Sequence, residues 1–144
     1  MERIELSHSV RATCIPGAPE LLRALREASI RVGIVTRNSR AAVRISLRNT
    51  GIRGDVLLTR DDVPRTKPHP DHLLTALRML ETVPQQAMIV GDHWMDMQAG
   101  KAAGMRTVGF LRMGRPSDFF SSQRPDFVIR DLRELIEQVH RLNM

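Results

Sequence analysis

Ala87-Met88-Ile89-Val90-Gly91-Asp92-His93-Trp94-Met95-Asp96 sets an unbroken apolar run directly before a glycine and two acids four residues apart. A run with no polar residue alternating into it reads as a strand covered on both faces, which is the habit of a parallel sheet. Gly91 allows a sharp turn at the strand's end, so that Asp92 leaves the strand and Asp96 enters a helix. Their carboxylates can converge on one point, and a hard cation such as Mg²⁺ is held by one or two carboxylates plus waters and phosphate oxygens. A turn residue followed by a helix-capping acid fits the same spacing, and on spacing alone the two readings stand level.

On either side, short apolar runs alternate with helical patterns, and no internal repeat interrupts them. Pro16-Gly17-Ala18-Pro19 is a turn, after which Leu21, Leu22, Leu25 and Ala28 recur at helical spacing. Arg31 to Thr36 reads as a buried strand, and Asn38 or Ser39 can cap a helix that turns Val43 and Leu47 inward and stops at Gly51. Val56-Leu57-Leu58 is a strand, and Leu73, Leu74, Leu77 and Leu80 mark a helix. Met97 to Ala103 is a short helix closed by Gly104, and Thr107 to Phe110 and Phe127 to Ile129 are strands. Asp131 and Glu134 have capping-box spacing ahead of a last helix that buries Leu132, Leu135, Ile136 and Val139. This alternation implies an α/β fold with a mostly parallel sheet and helices on both faces. Ligands of such sheets bind beyond the carboxyl ends of the strands, which here selects Thr36 to Ser39, Arg60 to His69 and Gly91 to Asp96.

The chain has 144 residues and 42% hydrophobic residues, enough for one domain with its own core. No apolar run approaches the roughly 20 residues of a bilayer-spanning helix, and no apolar signal core follows Met1-Glu2-Arg3, so the expected address is the cytoplasm with no membrane partner. Cys14 is the only cysteine, so neither a disulfide nor a cysteine-based zinc site can hold the fold. The net charge of +6 comes with 20 Arg and 2 Lys scattered from Arg3 to Arg141, and aromatic residues make up 3%. Without a like-charge block or interleaved aromatics this reads as a solvated arginine-rich surface, not a nucleic-acid interface. Arg40, Arg44 and Arg48 form a helical stripe of the same solvent-facing kind.

Thr36-Arg37-Asn38-Ser39 lies at a strand end and a helix start, where a hydroxyl and free backbone N–H groups can receive an anion, although a plain cap fits equally well. Lys67 is one of two lysines and sits in a loop fixed by Pro68 and Pro70; a compact ammonium there suits phosphate in a way Arg does not replace. Lys101, within a helix, carries less meaning. His69, His72 and His93 show no metal spacing, His8 and His140 read as surface residues, Trp94 as packing over the rim, and the eight methionines as core filler. No glycine-rich nucleotide loop is present.

Taken in order, Ile34-Val35-Thr36-Arg37-Asn38-Ser39, Thr66-Lys67-Pro68-His69-Pro70 and Met88-Ile89-Val90-Gly91-Asp92 with Asp96 resemble the haloacid dehalogenase superfamily, in its phosphatase branch of the phosphoglycolate phosphatase type. The likeness extends from Pro16 to the final helix. It implies a Rossmann-like three-layer sandwich and Mg²⁺-dependent hydrolysis of a phosphorylated small molecule through an aspartyl-phosphate. By the same resemblance Thr36, Arg37 and Asn38 bind phosphate and Lys67 neutralises charge on phosphate and nucleophile. Asp92 is a metal ligand, and Asp96 supports the metal and the catalytic group.

The sequence departs from that pattern at its start. The family's Asp-x-Asp motif at the end of the first strand has no counterpart, because no aspartate precedes Asp55 and Met1 to Pro19 carries only Glu2 and Glu5 as acids. Ile129-Arg130-Asp131 lacks the second acid and fits the ordinary last strand. The expectation is therefore a chain that is truncated or inactive alone, with weak Mg²⁺ binding, or alternatively a non-catalytic binding or scaffold module. Residues 1–18 are expected as an N-terminal stub, either a cap remnant or a substitute strand, and residues 19–144 as the core domain. The central strand is missing or substituted, with Ile4 and Leu6 or a partner copy of the chain as the candidates, and there is no room for a cap module.

Overall fold

A computed structural model describes residues 3–7, 17–44 and 54–142, the first five by backbone alone. Burial on both faces turns the apolar runs into parallel strands: β2 (Val32–Val35), β3 (Val56–Leu58), β4 (Ala87–Gly91), β5 (Arg106–Phe110) and β6 (Phe127–Ile129). A sixth strand, β1 (Arg3–Ser7), lies between β2 and β4, and the sheet order is β3-β2-β1-β4-β5-β6. Its register sets Leu6 opposite both Ile34 and Val90, with Ser7 opposite Val35. The central position is thus filled by a strand of this chain, and β2 and β4 both pair through it.

Alternation along the strands separates two cores. Met88 and Val90 face the side covered by α1 (Ala18–Glu27) and α5 (Ile136–Leu142), with Leu21, Leu25, Leu135 and Val139. Ala87 and Ile89 face the side covered by α3 (Asp71–Met79) and α4 (Trp94–Ala103), with Leu73, Leu77 and Ala99. The result is the three-layer α/β sandwich expected from the alternation. Between β2 and β3 the described residues 40–44 are helical, forming α2, with Val43 buried; Leu47, Arg48 and Gly51 lie outside the described residues, as do His8 and Cys14.

Both edge strands are tied by an acid just ahead of them. Asp55 accepts the Val32 N–H at 2.7 Å, and Asp126 accepts the Thr107 N–H at 2.7 Å. These bonds satisfy the N–H of the first residue of β2 and of the second residue of β5.

Two helix starts differ from the expected ones. α4 begins at Trp94, three residues before Met97, because His93 and Asp96 form a reciprocal capping box that extends the helix upstream. The Asp131–Glu134 box is present, but it opens a 3₁₀ turn over Leu132–Leu135 before α5. The methionines divide: Met88, Met97 and Met105 are buried, whereas Met79 and Met113 are exposed and fill no core.

α4 rests directly on β4 and β5 through Gly100. A Cβ there would lie 2.6 Å from a methyl of Ile89 and 2.7 Å from that of Thr107. Gly100→Val is expected to lower stability by about 1–3 kcal/mol through overpacking, read as a lower urea midpoint with an unchanged slope. An unchanged midpoint would show that helix and sheet are not held this closely.

Candidate functional site

The carboxyl ends of β2 and β4 and the loop after β3 converge around one buried ion pair. Lys67 Nζ lies 2.7 Å from Asp96 Oδ1 and donates to the Val35 carbonyl at 3.2 Å, and both side chains are almost wholly buried. Lys67 comes from the loop after β3 and is joined to Pro68 by a cis peptide bond; its side-chain contacts link the end of β2 to the first turn of α4. Lys101 by contrast is exposed, so scarcity alone did not distinguish the two lysines, whereas the proline-bounded loop did.

Asp96 combines the two readings open at the sequence level. Its Oδ2 accepts the His93 N–H at 3.1 Å as a helix cap, while its Oδ1 faces Lys67. Gly91 is required for this arrangement, since a Cβ there would collide with the Asp96 carboxylate.

Thr36 is fully buried at the end of β2, anchored by its N–H on the Leu58 carbonyl at 3.0 Å. Its Oγ1 accepts from the Asn38 N–H at 3.2 Å and from Asn38 Nδ2 at 3.1 Å. The hydroxyl hydrogen is left for donation. Asn38 is therefore folded back on Thr36, and Ser39 is the cap, its Oγ accepting the Ala42 N–H at 3.3 Å. Arg37 is exposed beside them. Arg40 is not simply solvated: it grips both oxygens of Asp62 at 2.6 Å, and that hydrogen bond holds the Asp62 carboxyl below its ordinary range.

Asp92 stands at the carboxyl end of β4, partly exposed, with Arg112 Nε 2.7 Å from its Oδ2. Arg112 was missed by sequence reading. The rule that selects loops beyond strand ends applies equally to the loop after β5, and that was the available signal. His72 is legible in the sequence only as lacking metal spacing, which gives no hint of its place in the structure. It is fully buried, its Nε2 lies 3.2 Å from the Thr59 carbonyl, and its Nδ1 has no hydrogen-bond partner among the described residues. Burial, reinforced by the Lys67 ammonium, pushes its pKa down to about 4.

The structure thus brings Thr36 with Asn38 and Lys67 with Asp96 into direct contact, while Asp92 is joined to Arg112. Among the described residues no three His, Cys, Asp or Glu side chains cluster as a ready metal cage. Asp92 offers a hard oxygen donor at an accessible strand end, which fits a cation completed by waters and phosphate oxygens. Trp94 is partly exposed beside His93, at a ring separation of 5.7 Å. No helix of the described residues is long and apolar enough to cross a membrane.

Comparison with known proteins identifies the family. The profile of haloacid dehalogenase-like hydrolases matches residues 1–110. Pyrophosphatase PpaX of Bacillus pumilus is 32% identical over 131 residues, covering 90% of this chain and 61% of that protein. A HAD family hydrolase from Deinococcus radiodurans with bound phosphate and sodium superposes with a TM-score of 0.81 at 29% identity, covering 91% of this chain and 62% of that one. A HAD phosphatase from Thermococcus onnurineus gives a TM-score of 0.73 at 34% identity, covering 83% and 55%. The chain therefore spans about 60% of the length of the relatives it matches.

Proposed function

The chain belongs to the haloacid dehalogenase-like hydrolases, and from that premise we propose that the site receives the phosphoryl group of a phosphorylated small molecule in the manner of a Mg²⁺-assisted phosphomonoester hydrolase. The observation that carries the proposal is the buried Lys67–Asp96 pair, with Lys67 held on the Val35 carbonyl one residue before the buried Thr36. A lysine is stable at such depth only when its charge is answered, and here Asp96 and the Val35 carbonyl hold Nζ at a fixed point. A phosphoryl group in the crevice meets that fixed positive charge together with the Thr36 O–H and the backbone N–H after it. Positioned donors and cations of this kind are what phosphoryl transfer asks of a protein.

Asp92 would hold Mg²⁺, with Asp96 supporting its water shell, and the bound ion would offset negative charge on the phosphoryl oxygens. Arg37, exposed at the rim, would meet outer oxygens of the substrate. Asn38 acts one step back, its two donors engaging the Thr36 oxygen and leaving the hydroxyl hydrogen free to donate.

Covalent transfer through an aspartyl-phosphate needs an aspartate at the end of the strand between β2 and β4. In this sequence that strand is β1, ending at Ser7, and the first aspartate is Asp55. We therefore read the sequence as it stands as a phosphate-binding core that does not form this intermediate by itself. The composition of β1 also favours a second reading, a non-catalytic binding or scaffold module.

The test is a pair of measurements on the full chain. Inorganic phosphate, followed by calorimetric titration, is expected to bind in the millimolar range or tighter, and p-nitrophenyl phosphate with Mg²⁺ is expected to remain unhydrolysed. Hydrolysis that disappears on Asp92→Asn would overturn the loss of covalent transfer. Absence of phosphate binding would overturn the phosphoryl site and leave the scaffold reading.

A further inference from the structure

Asp92 is held by a cation of the protein's own. Gly91, the last residue of β4, pairs with Gly109, and β5 runs one residue further to Phe110. Asp92 follows β4 by one residue, and Arg112 follows β5 by two and reaches back to place Nε 2.7 Å from Asp92 Oδ2. The guanidinium is 36% exposed and the carboxylate 19%, so the pair sits at the rim of the crevice. Neither makes another ion pair among the described residues. Asp96 is the poorer direct ligand, because its two oxygens already face Lys67 and the His93 N–H.

Resting on the reading of Asp92 as a divalent-cation ligand, we propose that Arg112 is a built-in competitor for that cation, one that keeps the site's metal affinity low. A Mg²⁺ ion binds a carboxylate oxygen at about 2.0–2.1 Å, which on Asp92 leaves it within roughly 5 Å of Arg112 Nε if it takes Oδ2 and roughly 7 Å at most if it takes Oδ1. Either the cation displaces Arg112 and breaks the ion pair, or it takes the other oxygen and feels the repulsion of a neighbouring positive charge. Both routes weaken metal binding, so the sign does not depend on which is followed. At this separation and exposure the penalty corresponds to about a three- to ten-fold loss of affinity at moderate ionic strength. The pairing also protects Asp92 from standing as a lone carboxylate beside the phosphate crevice, where it would repel an incoming anion.

The experiment is a Mn²⁺ titration of the full chain, with free Mn²⁺ read by electron paramagnetic resonance. Arg112→Gln is expected to tighten Mn²⁺ binding three- to ten-fold, Arg112→Lys to stay within about two-fold of the wild type, and Asp92→Asn to abolish binding in either background. If Arg112→Gln leaves the affinity unchanged or lowers it while Asp92→Asn still abolishes binding, the competition is refuted and the reading of Asp92 survives. Equal tightening by Arg112→Lys would refute the electrostatic basis. If Mn²⁺ binds neither wild type nor Arg112→Gln, or binds regardless of Asp92→Asn, the reading of Asp92 fails and the competition with it.

Discussion

Lys67→Met is expected to cost about 3–5 kcal/mol of stability, the largest loss of any single substitution around the crevice. The size follows from what remains. Lys67 and Asp96 are 3% and 4% exposed at their side chains, and removing the ammonium leaves the Asp96 carboxylate buried without the cation that answers it. A methionine fills similar volume, so the loss comes chiefly from charge and not from a cavity. Two further changes accompany it: the Val35 carbonyl loses its donor, and the loop carrying Pro68 and Pro70 loses its link to β2. Urea denaturation checks the prediction, and a loss below about 1 kcal/mol would show that the pair is more solvated than its burial implies.

Adding Asp96→Asn to Lys67→Met should recover part of the loss, because the uncompensated charge is removed while the side chain can still cap α4. The double variant separates structure from binding. If Lys67 holds phosphate, inorganic phosphate binding stays lost even where stability returns. Binding that returns with stability would assign Lys67 a purely structural role.

The parts of the molecule legible in the sequence are those whose physics is local. Burial on both faces writes itself as consecutive apolar residues, which is why Ala87–Gly91 could be read as a strand and the acids after it placed at a ligand-binding edge. β1 is different in kind. Ile4 and Leu6, alternating with Arg3 and Glu5, made this segment a candidate for the central strand beside a partner copy, but no local rule chose between the two, because the position depends on pairing with β2 and β4 at once. The spacing of Asp92 and Asp96 could not show that one would bind Arg112 and the other Lys67, because each partner arrives on a different loop. Capping chemistry is short-range, yet the competition between Asn38 and Ser39 turned on whether Thr36 would take the Asn38 donors, a choice visible only once the strand end was placed.

His72 is the residue for which position matters and sequence carries least, and it sets the expected acid response of the fold. The Thr59 carbonyl can only accept, so Nε2 carries the hydrogen and Nδ1 is the bare nitrogen, buried without a partner. Protonating Nδ1 would create a buried cation with a donor that has nothing to donate to, next to the Lys67 ammonium. Burial first, and Lys67 second, therefore depress its pKa to about 4 from the ordinary 6.5, although the Thr59 carbonyl, Asp62 and Asp96 pull the other way. In the unfolded chain the imidazole takes a proton as the pH falls below about 6.5, while the folded chain resists until about 4. Stability is accordingly full above pH 6.5 and declines across the window from 6.5 to 4, by a total on the order of 3 kcal/mol. His72→Gln removes this titration, so the stability difference between wild type and variant should shift toward the variant as pH falls, measured by urea midpoints from pH 7 to 4.5. Parallel pH profiles for the two proteins would mean that His72 is protonated as easily when folded as when unfolded, and that the space around Nδ1 admits water.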